Sequence, residues 1–150
     1  DTEMFMPDQY VSNTQERLSL YQQLDKLTNE DEIRKFQAML ADRFGPIPKS
    51  VEELFEGLRT RWTARQMGIE RVSLKKKKLQ AYFISNPQSS FYESPYFQTL
   101  LKLMTRPEVS GTFSLKQSSQ NLILISENVK NLRQAQKLLE GLNKLILESN

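Results

Sequence analysis

The spacing of apolar residues changes character at Gly68, and this change constrains the fold more than any other feature of the chain. Before it, apolar residues recur every three or four positions, the pattern of helices with one buried face. After it, short runs of β-formers alternate with polar turns. The expected organisation is one domain: an irregular lead-in over 1–12, a helical half over 13–68 and a sheet-plus-helix half over 69–150. A chain of 150 residues can bury one sizeable core and is short for two.

Three helices are expected in the first half. Ser12 or Asn13 offers the first cap, answered by Gln15 or Glu16, with Leu18, Tyr21, Leu24 and Leu27 as the apolar stripe. Thr28 or Asn29 caps the second helix, and Glu30, Asp31 and Glu32 suit its positive end. Its stripe is Ile33, Phe36, Met39 and Leu40, and Gly45-Pro46 stops it. The third starts near Ser50, with Glu53 completing a capping box, and buries Val51, Leu54, Phe55, Leu58 and Trp62 before Gly68 ends it.

The second half reads β-β-α-β-β-α. Strands are expected at 71–74 and 79–84, joined by a hairpin whose tip is the run Lys75-Lys76-Lys77-Lys78. Residues 86–90 form a loop, and Ser94-Pro95 opens a helix that buries Phe97, Leu100, Leu101 and Met104. A second strand pair, 112–116 and 122–125, turns at Ser118–Asn121. The last helix runs from about Val129 to Leu147, with Leu132, Ala135, Leu139, Leu142 and Ile146 on one side. The fold class is α+β: three helices, then a four-stranded, mostly antiparallel sheet with helices covering one face.

Composition removes much of enzyme chemistry. Cysteine and histidine are absent, so disulfides, thiolate nucleophiles, imidazole bases and zinc sites built from those ligands are excluded. No phosphate-binding glycine loop occurs. The acid pairs Asp31-Glu32 and Glu52-Glu53 fall in first turns of helices, where capping and dipole matching account for them. No catalytic, cofactor-binding or metal-ligating residue is assigned to this chain. No apolar run approaches the roughly 20 residues of a membrane-spanning helix. Asp1-Thr2-Glu3-Met4 shows no signal peptide and no initiator Met, so an excised cytoplasmic fragment is expected.

Charge is unevenly placed. Residues 1–58 carry 12 acids and 6 bases, whereas 59–78 carry 8 bases and a single acid, Glu70. Arg59, Arg61, Arg65, Lys75, Lys76, Lys77 and Lys78 are candidate nucleic-acid contacts, since such side chains neutralise phosphates without reading sequence. The structural alternatives are arginines on a solvated helix face beside a core Trp62, and a charged hairpin tip that discourages edge-to-edge pairing. Phe91 and Tyr92 are left over by the periodicity and read as possible surface anchors.

The segment Met39-Leu40-Ala41-Asp42-Arg43-Phe44-Gly45-Pro46 places two charges at a rigid helix end. They either anchor a partner surface, or Phe44 plugs the core while Arg43 complements the negative helix end. Here the chain resembles a known family. Asp42-Arg43-Phe44-Gly45, followed by Pro48 and the Val51-Glu52-Glu53-Leu54 helix, is similar to the D-R-F-G-x-x-P signature of the C-terminal domain of bacterial transcription-repair coupling factors. Pro7, Tyr10 and Val11 resemble that domain's P-x-x-Y-[IV] opening. Arg17-Leu18-Ser19-Leu20-Tyr21 resembles its R-L-x-x-Y helix, and Ala64 to Ile69 its A-x-x-[LM]-G-I stretch. The match is ordered over 7–72.

The resemblance implies a regulatory domain without catalysis of its own. The full-length family protein uses ATP and Mg to translocate on double-stranded DNA, displaces stalled RNA polymerase at lesions and recruits UvrA. Its C-terminal domain docks on a UvrB-like module of the same chain, masks UvrA binding and restrains the motor. The docking residues implied here are Met39, Asp42, Arg43 and Phe44, with Met39 at a position that is acidic in the family. The alternative is a non-catalytic nucleic-acid-binding module on residues 59–78.

Overall fold

The computed structural model describes residues 5–149. Asp1 to Met4, on which the signal-peptide and fragment readings rest, lie outside the described residues. The chain divides into two compact units, one ending at Arg59 and the other beginning at Thr60. The division falls inside the third helix, nine residues before the change in apolar spacing at Gly68.

The first unit is helical. Its lead-in has no regular structure, yet Met6 and Val11 are buried. Helix α1 (Thr14–Asp25) is capped by Asn13, whose side chain accepts from the Glu16 amide. Helix α2 (Glu30–Phe44) is capped by Asn29, and Glu32 answers by accepting from the Thr28 amide at 2.7 Å. Helix α3 (Lys49–Gln66) starts a turn on Pro48, whose carbonyl takes the amides of Val51 and Glu52. Ser50 is therefore inside the helix and does not form the expected capping box. Leu20 and Leu24 are the buried positions of α1, and Leu18 is 57% exposed. The helix carries apolar residues on two sides, and the pair four apart, Leu20 and Leu24, wins the core. Leu40, Phe55 and Ile33 are fully enclosed; burying a side chain of that size contributes about 1.5–3 kcal/mol each.

The second unit is a four-stranded sheet in the order β1-β2-β4-β3, antiparallel throughout. The strands are β1 (Ile69–Lys75), β2 (Lys78–Phe83), β3 (Ser114–Gln117) and β4 (Leu122–Ser126). Lys75 and Lys78 pair within the strands, leaving Lys76 and Lys77 as a two-residue turn with φ of 51° and 62°. The expected four-lysine tip is thus half that length, because a two-residue turn with both φ positive matches strand twist.

Helices α4 (Pro95–Leu103) and α6 (Leu132–Ser149) share one core with the end of α3 and one sheet face, where Met67, Leu79, Phe83, Leu100, Leu124 and Leu139 meet. Ser94 caps α4 with Pro95 at its first position, as the sequence suggests. Leu103 takes the buried place expected of Leu101, which is 38% exposed. A 3₁₀ turn (Ser90–Glu93) precedes α4 and a one-turn helix α5 (Pro107–Ser110) follows it. Neither was expected, since such short turns carry no apolar period. Helix α6 starts three residues later than Val129: Asn131 accepts from the Gln134 amide, while the Val129 amide donates to the Lys77 carbonyl at 2.8 Å.

Phe91 and Tyr92 are core residues and no surface anchors. The Phe91 ring stacks 5.9 Å from Phe83, and the Tyr92 ring meets Phe97 edge-on at 5.0 Å. The Tyr92 hydroxyl donates to the Ile84 carbonyl. Two buried amides of this unit find distant partners: Gln136 donates to Thr63 at 3.1 Å and Asn143 to Gln66 at 3.0 Å, while the Gln136 side-chain oxygen is left without a partner among the described residues. No helix among the described residues is long and apolar enough to cross a membrane.

Candidate functional site

The end of α2 is fixed by the lead-in. Gly45 adopts φ 90° and ψ −167°, and its amide closes the helix on the Ala41 carbonyl at 3.0 Å. That backbone region is essentially reserved for glycine. The Tyr10 hydroxyl donates to the Gly45 carbonyl oxygen at 2.9 Å and lies 3.2 Å from that of Leu40, which ties the lead-in to the residue that ends the helix. Desolvation, then the nearby Glu52 carboxylate, raises the Tyr10 pKa and keeps the hydroxyl a donor. The Tyr10 and Phe44 rings sit 5.7 Å apart.

The lead-in is held in turn by α1. Arg17 donates to the Val11 carbonyl at 2.8 Å and pairs with Asp8 at 3.3 Å, and Tyr21 accepts from the Met6 amide at 2.6 Å. These contacts explain how a segment without secondary structure can hold Tyr10 in place.

Met39, Asp42 and Arg43 stand three and four positions apart on α2, which puts them on neighbouring parts of one helix surface. Met39 and Phe44 are half-buried; Asp42 and Arg43 are exposed. The Arg43 guanidinium pairs with Glu16 at 2.6 Å and lies 4.8 Å from the Phe44 ring centroid. Among the described residues the Asp42 carboxylate has no ion pair or hydrogen bond. Of the two sequence alternatives for this helix end, the structural one is seen in part. Phe44 packs on Tyr10, Arg43 is drawn back onto α1, and Asp42 is the charge presented outward. Glu16 and Tyr10 are the members that sequence reasoning missed as site residues. The Pro7–Val11 motif was the available signal, since a tyrosine in an irregular segment needs a partner for its hydroxyl.

The basic candidates fall in both units, each with its own surroundings. Arg59 is engaged within the first unit: it makes a two-pronged contact to Glu30, at 2.5 and 3.1 Å, and a third to Glu56 at 3.0 Å. Hydrogen bonding to Glu30 raises its pKa first of all. Arg61 is half-buried and Arg65 exposed, both in the second unit. Lys75 and Lys78 sit side by side on the sheet, and Lys76 and Lys77 form its turn. Among the described residues no group of three or more acids is arranged to hold a metal ion.

The coupling factor of Rickettsia typhi is 32% identical over 69 residues, which is 46% of this chain and 6% of that protein. That of Borreliella burgdorferi is 28% identical over 76 residues, 51% of this chain and 7% of that protein. The Escherichia coli transcription-repair-coupling factor is 30% identical over 67 residues, 45% and 6%. The chain thus spans 6–7% of the length of these curated relatives. A crystal structure of the C-terminal domain of a transcription-repair coupling factor superposes with a TM-score of 0.71 at 22% identity. It covers 99% of this chain and 89% of that one, so the whole fold is shared. The family model of the TRCF domain matches residues 1–94, more than half of the chain and all of the Tyr10–Gly45 site, and the chain belongs to that family.

Proposed function

We propose that this chain is the autoinhibitory domain of a longer transcription-repair coupling factor, and that the end of α2 docks on a UvrB-like module of the same polypeptide. In that closed state the domain masks UvrA binding. It also restrains the ATP- and Mg-dependent motor that moves on double-stranded DNA and displaces stalled RNA polymerase. The observation that carries the reading is the fixed helix end itself. Tyr10 holds it by a hydrogen bond to Gly45 and Glu16 by an ion pair to Arg43, and it presents the Asp42 carboxylate, unpaired among the described residues, beside a half-buried Met39. Preorganisation of this kind lowers the ordering cost of docking.

Tethering lets a weak contact suffice, because the linker sets the local concentration of the two surfaces. The contact must also open. Reversing a closed population from 99:1 to 1:99 takes about 5.5 kcal/mol of differential binding by the activating partner. A small polar interface between domains of one chain suits that range. With Arg43 balanced by Glu16, the attraction is directional: a cation on the docking partner answers Asp42, and an apolar contact answers Met39.

Calorimetric titration of this chain with the separately produced UvrB-like module tests the reading. Micromolar association, weakened about tenfold by Asp42→Lys and competed by UvrA, is expected, since a desolvated charge pair contributes on that scale. Association that is indifferent to Asp42, or that persists alongside UvrA, contradicts it.

A further inference from the structure

One face of the sheet lies in the core with α4 and α6; the register fixes what the other face carries. A bulge at Glu70 sets Ile69 against Phe83 and Arg71 against Tyr82, so Ile69 turns into the core and Arg71 turns away from it. From there the pairing runs across all four strands as Arg71, Tyr82, Ile123 and Lys116. The next row is Ser73, Gln80, Ile125 and Ser114, and Lys75 with Lys78 follows on β1 and β2. These rows hold four cations and no carboxylate, set around Ile123 and Ile125, which are buried. Glu70, at the bulge, accepts from Asn121 at 3.0 Å. The Arg71 guanidinium lies over the Tyr82 ring, 3.8 Å from its centroid, and Arg71 is exposed.

We propose that this sheet face binds single-stranded nucleic acid. Unpaired bases stack on the guanidinium–phenol pair of Arg71 and Tyr82, and Lys75, Lys78 and Lys116 meet backbone phosphates. Stacking on aromatic rings and guanidinium planes requires bases that are splayed out, which a single strand offers and a duplex does not. The cations are spread to match a strand crossing the sheet: Arg71 and Lys116 stand about 14 Å apart across three strand spacings, and Arg71 and Lys75 about 14 Å apart along β1. The face excludes acids, which favours a polyanion over a mixed-charge protein surface. This inference stands apart from docking at α2, and neither depends on the other.

The test is fluorescence anisotropy of a labelled oligothymidylate with this chain at several salt concentrations. Saturable, salt-sensitive binding is expected. In Lys75→Gln/Lys116→Gln the dependence of log affinity on log salt should become shallower by about 1.4, from roughly 0.7 per phosphate contact in single strands. In Tyr82→Leu affinity should fall about tenfold with the salt slope kept, as loss of one stacked base requires. Circular dichroism monitors folding; should Tyr82→Leu unfold, the lysine pair still decides. Absence of binding at about 100 μM protein, the weak limit of non-specific association, overturns the proposal. So does duplex binding as tight as single-strand binding. Affinity unchanged in both variants and lost in Lys76→Gln/Lys77→Gln overturns it as well, because the contact then lies on the turn.

Discussion

The Tyr10 hydroxyl meets the Gly45 carbonyl oxygen at 2.9 Å across thirty-five residues of chain, tying an irregular lead-in to the end of a helix. Removing the hydroxyl in Tyr10→Phe should cost about 1 kcal/mol in denaturant unfolding, the usual net worth of such a bond. A Cβ at Gly45 meets nothing within 4 Å. Gly45→Ala should therefore cost only the backbone strain of a region reserved for glycine, about 1–3 kcal/mol.

Gly68 and Gly141 should respond in opposite directions to the same substitution. At Gly68, with φ of 76°, an added Cβ would lie 2.4 Å from the Phe91 ring. Strain and overpacking together should make Gly68→Ala cost about 2–5 kcal/mol. Gly141 lies within α6 with open space around it. Gly141→Ala should stabilise by about 0.5–1 kcal/mol through helix propensity and lost unfolded-state freedom. Thermal melting of the two single variants distinguishes the cases.

The hairpin turn is built from residues poorly suited to it. Lys76 and Lys77 both hold positive φ, where asparagine and glycine are favoured. Replacing the pair by Asn-Gly should stabilise the chain by about 1–2 kcal/mol, measured as a rise in the denaturation midpoint. An unchanged midpoint would mean that their strain is already offset locally.

Much of this fold is legible in the sequence because caps and periods agree. Asn13, Asn29, Gly45 and Ser94 mark helix ends as side-chain chemistry dictates, and the β-β-α-β-β-α order follows from two alternating periods. The misses have local causes. Leu18 and Leu20 are equally apolar, and only packing selects between them. Lys75 and Lys78 look like loop residues because their charge hides a strand position whose side chains face outward. Asn143 and Gln136 are buried in a helix because their partners, Gln66 and Thr63, come from more than seventy residues away. The Asp42-Arg43 helix end was legible as a motif, but the pairing of Arg43 with Glu16 was not, since 27 residues separate them. The same distance problem hid Arg71 and Lys116, which only the strand order brings onto one face.

Alkaline pH should weaken the second unit through Tyr96. Its hydroxyl donates to Asn143 at 2.6 Å, and burial raises its pKa above the ordinary value of 10. Below pH 10 the phenol is neutral in both states and its contribution is complete. As pH rises past 10 the unfolded chain ionises first, so stability falls until the folded phenol also titrates. Denaturation midpoints between about pH 8 and about pH 11 should decline less steeply in Tyr96→Phe than in the parent chain. Parallel declines would show that Tyr96 does not govern the effect.

The docking account is tested most directly in a full-length coupling factor carrying this domain with Asp42→Lys, by measuring UvrA affinity and ATP turnover together. Opening of the restraint should raise both by about tenfold or more, the equivalent of 1.4 kcal/mol taken from the closed state, with the domain still folded. Affinity and turnover equal to those of the unaltered protein would remove the α2 end from the restraint.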